Sequence, residues 1–259
     1  GWSRRKTASR RAPFSTFREV APPIDLDGRG RSPYLWPPED PAHVIEEEAA
    51  MPMPAAVPPA TDRAARLKAE TREVHERLDQ AIMALDPFSS REHYARFLRV
   101  QWAFHARIAP LYADEHLARL LPDLAGRCRF ALITADLADL GMAVPEASAP
   151  NLGPIPPAEA LGWLYVAEGS NLGAAFLLKA AQKSLSLSET FGARHLAGHP
   201  EGRALHWRQF TAALNAADLA PADEAAVIDG ARKAFAFVRA QVDAEASATV
   251  LAEAAGRDV

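Results

Sequence analysis

Hydrophobic positions recur at helical spacing along most of the chain after residue 60. Apolar residues three and four positions apart form one stripe on a helix. No stretch sustains the alternation of apolar and polar residues that is typical of strands. The pattern predicts helices near residues 62–85, 90–112, 123–140, 158–186, 202–217 and 222–246. We therefore predict an all-α fold, with a single-domain helical bundle over residues 61–259.

Residues that start and stop helices stand at the predicted boundaries. Asp86-Pro87 is predicted to end the first helix, and Ser89 or Ser90 to cap the second, because proline blocks a helix and serine accepts from free backbone N–H groups. Gly141 is predicted to end the third helix. Pro157 suits the first turn of the fourth.

The first 60 residues have a different composition. They hold 11 of the 21 prolines and open with a basic patch of Arg4, Arg5, Lys6, Arg10 and Arg11. Proline at this density blocks helix and sheet hydrogen bonds. We therefore predict a disordered or extended, Pro-rich, flexible N-terminal extension over residues 1–60. An extension that is dispensable for chemistry is favoured over an arm that binds a partner.

Composition excludes several classes of protein. The net charge of -4 and the pI of about 6.1 give no strong electrostatic footprint for nucleic acid or an acidic membrane. The single cysteine, Cys128, cannot form an internal disulfide or a Cys-rich metal site. No apolar run approaches the roughly 18 residues of a membrane span. A cytoplasmic protein without nucleic-acid or membrane partners is expected.

The first predicted helix carries a candidate metal ligand, His75. This residue lies at the edge of a stripe made by Leu67, Thr71, Val74, Leu78 and Ile82. Asp79 follows one turn later, where its carboxylate can accept a hydrogen bond from the imidazole. Lys68 lies two turns earlier, roughly 10 Å along the axis. That is about the distance from the centre of a porphyrin to its carboxylate edge, so one helix could give a heme its iron ligand, an orienting carboxylate and a cation for a propionate. A half-buried histidine with no ligand role is the alternative.

The longest predicted helix is apolar nearly all round but contains Gly169 and Gly173, with Ser170 and Asn171 between them. An interior glycine costs about 0.5–1 kcal/mol relative to alanine. A buried helix tolerates that cost where something approaches its backbone or where it bends. Close helix–helix packing explains the glycines equally well. Together with His75, they suggest a planar group between two helices, with a five-coordinate iron and one open site.

In these features the chain resembles the heme oxygenase family, in particular its bacterial biliverdin-producing branch. The resemblance runs from about Leu67 to about Val242. It is carried by Leu67-Lys68-x-x-Thr71-x-x-Val74-His75, Glu168-Gly169-Ser170-Asn171-Leu172-Gly173, Lys179-Ala180-Ala181-Gln182-Lys183, and the stretch from Phe191-Gly192-Ala193-Arg194-His195 to Pro200-Glu201-Gly202-Arg203.

The resemblance implies a role for each matching residue. His75 corresponds to the axial heme iron ligand, Asp79 to the carboxylate that orients it, and Lys68 to a propionate contact. We add Thr71, inside the first motif, and Arg208, a basic residue near the propionate edge, to the predicted heme-binding set. The predicted catalytic residues of the distal helix are Gly169, Ser170, Asn171 and Gly173.

Two positions depart from the family pattern. Better-known members have an aspartate where this chain has Ser170, and a further glycine where it has Ala174. The first change puts the delivery of protons in doubt, and the second is expected to tilt the distal helix slightly.

The implied reaction uses heme as both cofactor and substrate, and yields biliverdin, CO and ferrous iron from O2 and electrons. The chain contains no G-x-G-x-x-G motif, so the electrons are expected from an external ferredoxin or reductase. The sequence leaves two purposes open, the supply of biliverdin to a photoreceptor and the release of iron.

Two competing functions remain open. One is a non-catalytic heme carrier or sensor that uses the same pocket. The presence of Ser170 in place of the aspartate supports this alternative. The other is a helical enzyme of the same fold that acts on another small molecule. A metal site formed by His195, His199 and His206 is disfavoured, because Gly198-His199-Pro200 resembles a loop.

Overall fold

The structure is a computed structural model that describes residues 62–145 and 153–255. Its α-helices are α1 (Arg63–Ala84), α2 (Arg91–Ile108), α3 (Glu115–Leu120), α4 (Phe130–Asp139), α5 (Pro157–Leu185), α6 (Arg203–Ala216) and α7 (Pro221–Ala255). Short 3-10 helices lie at Ala109–Ala113, Ala125–Arg127 and Arg194–Leu196. No strand occurs in the described ranges, so the predicted all-α fold is confirmed. The predicted N-terminal extension, residues 1–60, lies outside them.

The start of α1 and α2 follows from side-chain caps. Asp62 accepts a hydrogen bond from the backbone N–H of Ala65, and Ser90 accepts from His93, so each satisfies an N–H that the helix leaves free. The first helix ends at Ala84, just before Asp86, which has a left-handed φ of 49°. The predicted stop at Asp86-Pro87 and the cap at Ser90 are therefore confirmed.

The predicted stripe of α1 is correct at four of its five positions. Leu67, Thr71, Leu78 and Ile82 are buried. Val74 is 37% exposed, because it lies on the flank of the helix rather than facing the core. An exposed valine beside His75 marks the border between the packed face of α1 and an open one.

The prediction of one helix over residues 123–140 is wrong. The structure has the 3-10 helix Ala125–Arg127, a break at Cys128 and Arg129, and then α4. The break lets the Arg127 side chain turn inward and pair with Glu168 at 2.9 Å. The short α3 was not predicted as a separate helix, and α7 extends past the predicted end at residue 246.

The two longest helices, α5 and α7, cross in backbone contact. At the crossing, a Cβ on Gly162 would fall on the backbone of Val227 and Ala231, and one on Gly230 would fall on the backbone of Glu159. Two facing glycines thus remove the side chains that would hold the helices apart. The crossing fixes the position of α5, which carries Gly169 and Gly173 further along.

The core is formed by apolar side chains from all the α-helices. Its buried members include Trp102, Phe104, Tyr112, Phe235, Phe237, Val238 and Val242. None of the described helices is both long enough and apolar enough to cross a membrane.

Candidate functional site

His75 lies in the second half of α1, nearly buried beside α7. Its side chain is 12% exposed, and its ring lies 5.6 Å from the ring of Phe235, centroid to centroid. Nε2 of His75 is 3.4 Å from Oδ1 of Asp79, one turn further along α1. The structure therefore brings the predicted ligand and its predicted carboxylate together.

Burial keeps both members of this pair neutral. It lowers the pKa of His75 from 6.5 to about 4, so the imidazole is uncharged at neutral pH. Burial, with a smaller contribution from the charge of Glu76, raises the pKa of Asp79 from 3.8 to about 8. An ion pair would have shifted both values the other way, so loss of hydration outweighs attraction here. A neutral imidazole has a free lone pair, which a metal ligand requires.

The other predicted residues of α1 share this face to different degrees. At roughly 100° per residue, Lys68, His75 and Asp79 fall within about 40° of one another on the helix surface. Lys68 is half-buried. Thr71 is buried, and its hydroxyl donates to the carbonyl of Leu67 at 2.7 Å, so its polar group is satisfied within its own helix. Thr71 contributes shape rather than a free donor.

Gly169 and Gly173 lie in the middle of α5, and both are buried. The helix continues without a break from Pro157 to Leu185, so the glycines do not interrupt it. Ser170 between them is half-buried, and its hydroxyl donates to the carbonyl of Ala167 at 2.7 Å. One turn beyond Gly173, the Phe176 side chain is 38% exposed.

Asn171 points away from the glycine surface. On an ideal helix it lies roughly 180° from the mean direction of Gly169 and Gly173. In the structure it lines a small cavity together with Glu168 and residues of α6, and Arg203 donates to its backbone carbonyl at 2.8 Å. The sequence grouped Asn171 with Gly169, Ser170 and Gly173 as catalytic residues, whereas the structure sets Asn171 on the face of α5 opposite the glycines.

Helix α1, which carries His75, and helix α5, which carries the glycines, pack against the same two helices. Both α1 and α5 pack against α6 and α7. Among the described helices, α1 and α5 do not pack closely against each other. Each presents an exposed apolar side chain, Val74 next to His75 and Phe176 next to Gly173. Helices α1 and α5 thus contact the same neighbours, stay apart from each other and expose apolar side chains. Such an arrangement suits a flat apolar group, such as a porphyrin, between the two helices.

The remaining predicted residue, Arg208, is exposed on α6. No described side-chain contact joins it to α1, so its assignment to the heme-binding set stays a prediction. The exposed position is compatible with a contact at the solvent-facing edge of a ligand, where an arginine pairs with carboxylates.

Several buried polar groups behind α5 were missed by sequence reasoning. Glu168, directly before Gly169, forms an ion pair with Arg127, and both side chains are almost fully buried. Burial raises the pKa of Glu168 although Arg127 opposes the shift. The sequence signal for Glu168 was visible, since it is the only charged residue in an apolar run, but its partner 41 positions away was not.

The three histidines considered as a metal cluster do not come together. His195 pairs instead with Asp136, its Nδ1 lying 2.8 Å from Oδ2 of that carboxylate. His199 and His206 do lie together, and Asp123 lies near them. The structure therefore separates His195 from the other two and adds a carboxylate that the sequence did not suggest.

The sequence of the chain matches a family model and a bacterial relative. Residues 61–244 match the sequence model of the family described as heme oxygenase. The chain is 47% identical to heme oxygenase PigA of Pseudomonas aeruginosa over 174 residues. The aligned region covers 67% of this chain and 87% of that protein.

Two solved structures are similar to more than two thirds of the chain. The NO- and CO-bound heme oxygenase of Neisseria meningitidis has a TM-score of 0.65 and 44% identity, over 71% of this chain and 91% of that one. Heme oxygenase-1 of the cyanobacterium Synechocystis, solved in complex with heme, has a TM-score of 0.54 and 14% identity, over 75% of this chain and 96% of that one. The second likeness is one of fold alone.

Proposed function

Because this chain belongs to the heme oxygenase family, we propose that it holds heme between α1 and α5 and cleaves it to biliverdin, CO and ferrous iron. Heme oxygenase activity is the function that the family and its relatives support. The residue roles within the site are our proposal. The observation that carries it is a neutral, nearly buried His75 on α1. Helices α1 and α5 both pack against α6 and α7 but not closely against each other.

Heme, when bound, supplies both the iron that activates O2 and the macrocycle that is cleaved. His75 holds the iron through an imidazole nitrogen, and burial keeps that imidazole neutral. In this structure Nε2 is the nitrogen that faces Asp79. Because one nitrogen cannot serve both contacts, His75 would hold the iron through one ring nitrogen and meet Asp79 through the other. Asp79 then fixes the orientation of the ring.

The remaining predicted residues contact the heme or shape its binding site. Lys68 offers an ammonium group for a propionate, two turns from His75, and Arg208 offers a second cation at the exposed edge. Thr71 packs with its hydroxyl already satisfied. Gly169 and Gly173 lack side chains, so the α5 backbone would be able to lie close to a bound heme. Ser170 supplies the one hydroxyl between them.

Electrons have to come from outside the chain. No dinucleotide-binding fingerprint is present in the sequence. We propose that a separate ferredoxin or reductase docks near the basic residues at the propionate edge.

A heme carrier or sensor is the second candidate. It is favoured by Ser170, whose hydroxyl donates to Ala167 within its own helix rather than into open space. A carrier would bind heme through the same His75 but would not turn it over.

The deciding experiment adds hemin to the full-length chain, follows the Soret band, and then supplies electrons in air. Loss of the Soret band with the appearance of biliverdin and CO supports the oxygenase. A Soret band that persists under reduction supports the carrier instead. His75→Ala should abolish the ligated spectrum, whereas His116→Ala, on the exposed side of α3, should leave it unchanged. A normal spectrum in His75→Ala would refute the assignment of the ligand.

A further inference from the structure

Two imidazoles and a carboxylate lie together on the side of α5 that faces α6. The rings of His199 and His206 are stacked, with centroids 4.1 Å apart and 7° between their planes. Oδ2 of Asp123 lies 4.0 Å from Nε2 of His206. One ligand atom from each of the three residues lies within 4.8 Å of the other two. We propose that Asp123, His199 and His206 bind a divalent transition-metal ion, at a site separate from the one around His75.

His206 is the anchored member of this set. It is 7% exposed on α6, and its Nε2 is buried without a hydrogen-bond partner among the described residues. A buried polar atom without a partner is costly, and a bound metal removes that cost. His206 is therefore a buried donor whose position is fixed by α6.

Asp123 is held in place by its backbone and by a glycine. Its φ of 62° is left-handed, a conformation that aspartate and asparagine tolerate better than most residues. Its carboxylate occupies the space that a Cβ on Gly126 would need. The side chain is 63% exposed, so it can adjust towards an ion without disturbing the core.

His199 is the ligand that has to move. Because the two rings are parallel, their lone pairs run side by side rather than meeting at one point. His199 lies in the loop between the 3-10 helix Arg194–Leu196 and α6, and this loop ends at Gly202 with a φ of 93°. Among the described residues, the bond that competes for its ring is long, since Glu201 N–H donates to Nδ1 at 3.3 Å. A tilt of this half-buried ring therefore disrupts little.

The donor set selects the class of ion. Two imidazoles and one carboxylate suit zinc and its first-row neighbours and leave a fourth position for water. Magnesium and calcium prefer oxygen ligands throughout and are disfavoured. The charge of Arg127 is balanced by Glu168 at 2.9 Å, but Arg129 and Arg203 line the adjoining cavity and oppose a cation. We therefore expect micromolar affinity rather than the tighter binding of a structural zinc site.

The test is a calorimetric titration of Zn2+ into the tag-free, full-length chain. The parent should bind one equivalent. His199→Ala should weaken binding by more than about tenfold, since loss of even an indirect partner of a metal costs about that much. Asp123→Asn, which keeps the left-handed backbone, should also weaken it. His116→Ala, away from the cluster, should bind like the parent.

The result that would overturn the site is equally clear. If the parent takes up no zinc in a saturable way, or if His199→Ala binds it as tightly as the parent, these residues do not form a metal site. Circular dichroism of His199→Ala and Asp123→Asn checks that both fold, which is expected because both side chains lie at or near the surface. Their hemin spectra should match the parent, which separates this proposal from the heme site.

Discussion

At the scale of single residues, burial decides the protonation of His75 and Asp79. The folded protein keeps Asp79 protonated up to about pH 8, whereas the unfolded chain releases that proton above 3.8, so stability falls as pH rises between these values. His75 acts in the opposite sense between about 4 and 6.5, where the unfolded chain binds a proton that the folded protein does not. The two effects offset each other below pH 6.5, and only that of Asp79 remains above it.

We therefore expect the heme-free protein to lose stability between pH 6.5 and 8. The loss attributable to Asp79 is at most about 2 kcal/mol, because one pH unit corresponds to about 1.4 kcal/mol per proton. Asp79→Asn should remove this loss. Urea unfolding at the two pH values measures it, with the exposed Glu73→Gln as control. An equal loss in Asp79→Asn and the parent would contradict the neutral pair.

Asp79 should also matter for heme. Outer-shell partners of a metal-binding histidine typically contribute about 10–100-fold to affinity, so Asp79→Ala should weaken hemin binding by that factor. Titration with hemin, read at the Soret band, provides the measurement. If Asp79→Ala binds and turns over heme like the parent, Asp79 does not orient His75.

At the scale of elements, the crossing of α5 and α7 depends on two glycines. A methyl group at residue 230 would collide with the backbone of Glu159, which cannot swing aside as a side chain would. Overpacking of this kind costs about 1–3 kcal/mol. We expect Gly230→Ala to lower the free energy of unfolding by at least that amount. The variant should also shift the part of α5 that carries Gly169 and Gly173.

The matched control for the crossing is Gly198→Ala. A Cβ at that position would meet the Arg203 side chain at ordinary contact distance, 3.5 Å. Its effect should therefore be small, within about 1 kcal/mol. Thermal unfolding of the two variants decides the matter, and equal melting temperatures would show that the crossing has room to adjust.

Element boundaries were predictable where a local side chain sets them. Asp62 and Ser90 cap their helices through neighbours three residues away, and such contacts are visible in sequence. The break at Cys128 was not predictable. It accompanies the pairing of Arg127 with Glu168, a contact between positions 41 residues apart that the pattern of residues 123–140 does not reveal.

At the scale of the whole molecule, the Arg127–Glu168 pair joins three parts of the chain. Arg127 bonds to Glu168 on α5 and also donates to the carbonyl of His206 on α6. Removing one partner leaves a buried charge alone, which costs about 3–5 kcal/mol. Arg127→Met should therefore destabilise strongly, and Arg127→Met combined with Glu168→Met should be more stable than the single variant.

The control for this cycle is an exposed pair. Arg77 and Glu73 are 65% and 76% exposed, and such pairs contribute about 0–1 kcal/mol. Arg77→Met should thus change the midpoint of chemical denaturation only slightly. If the double variant at Arg127 and Glu168 is no more stable than Arg127→Met alone, the pair is not the source of the loss.

The sequence by itself determined the all-α class, most helix boundaries, and the placement of Lys68, His75 and Asp79 on one face, because helical periodicity depends only on neighbours along the chain. It also indicated the buried glycine helix. Only the tertiary structure decided that burial makes the His75–Asp79 pair neutral, that Asn171 faces away from the glycines, and that Asp123 lies beside His199 and His206. These properties depend on which distant side chains exclude water or meet in space, and no local pattern specifies that.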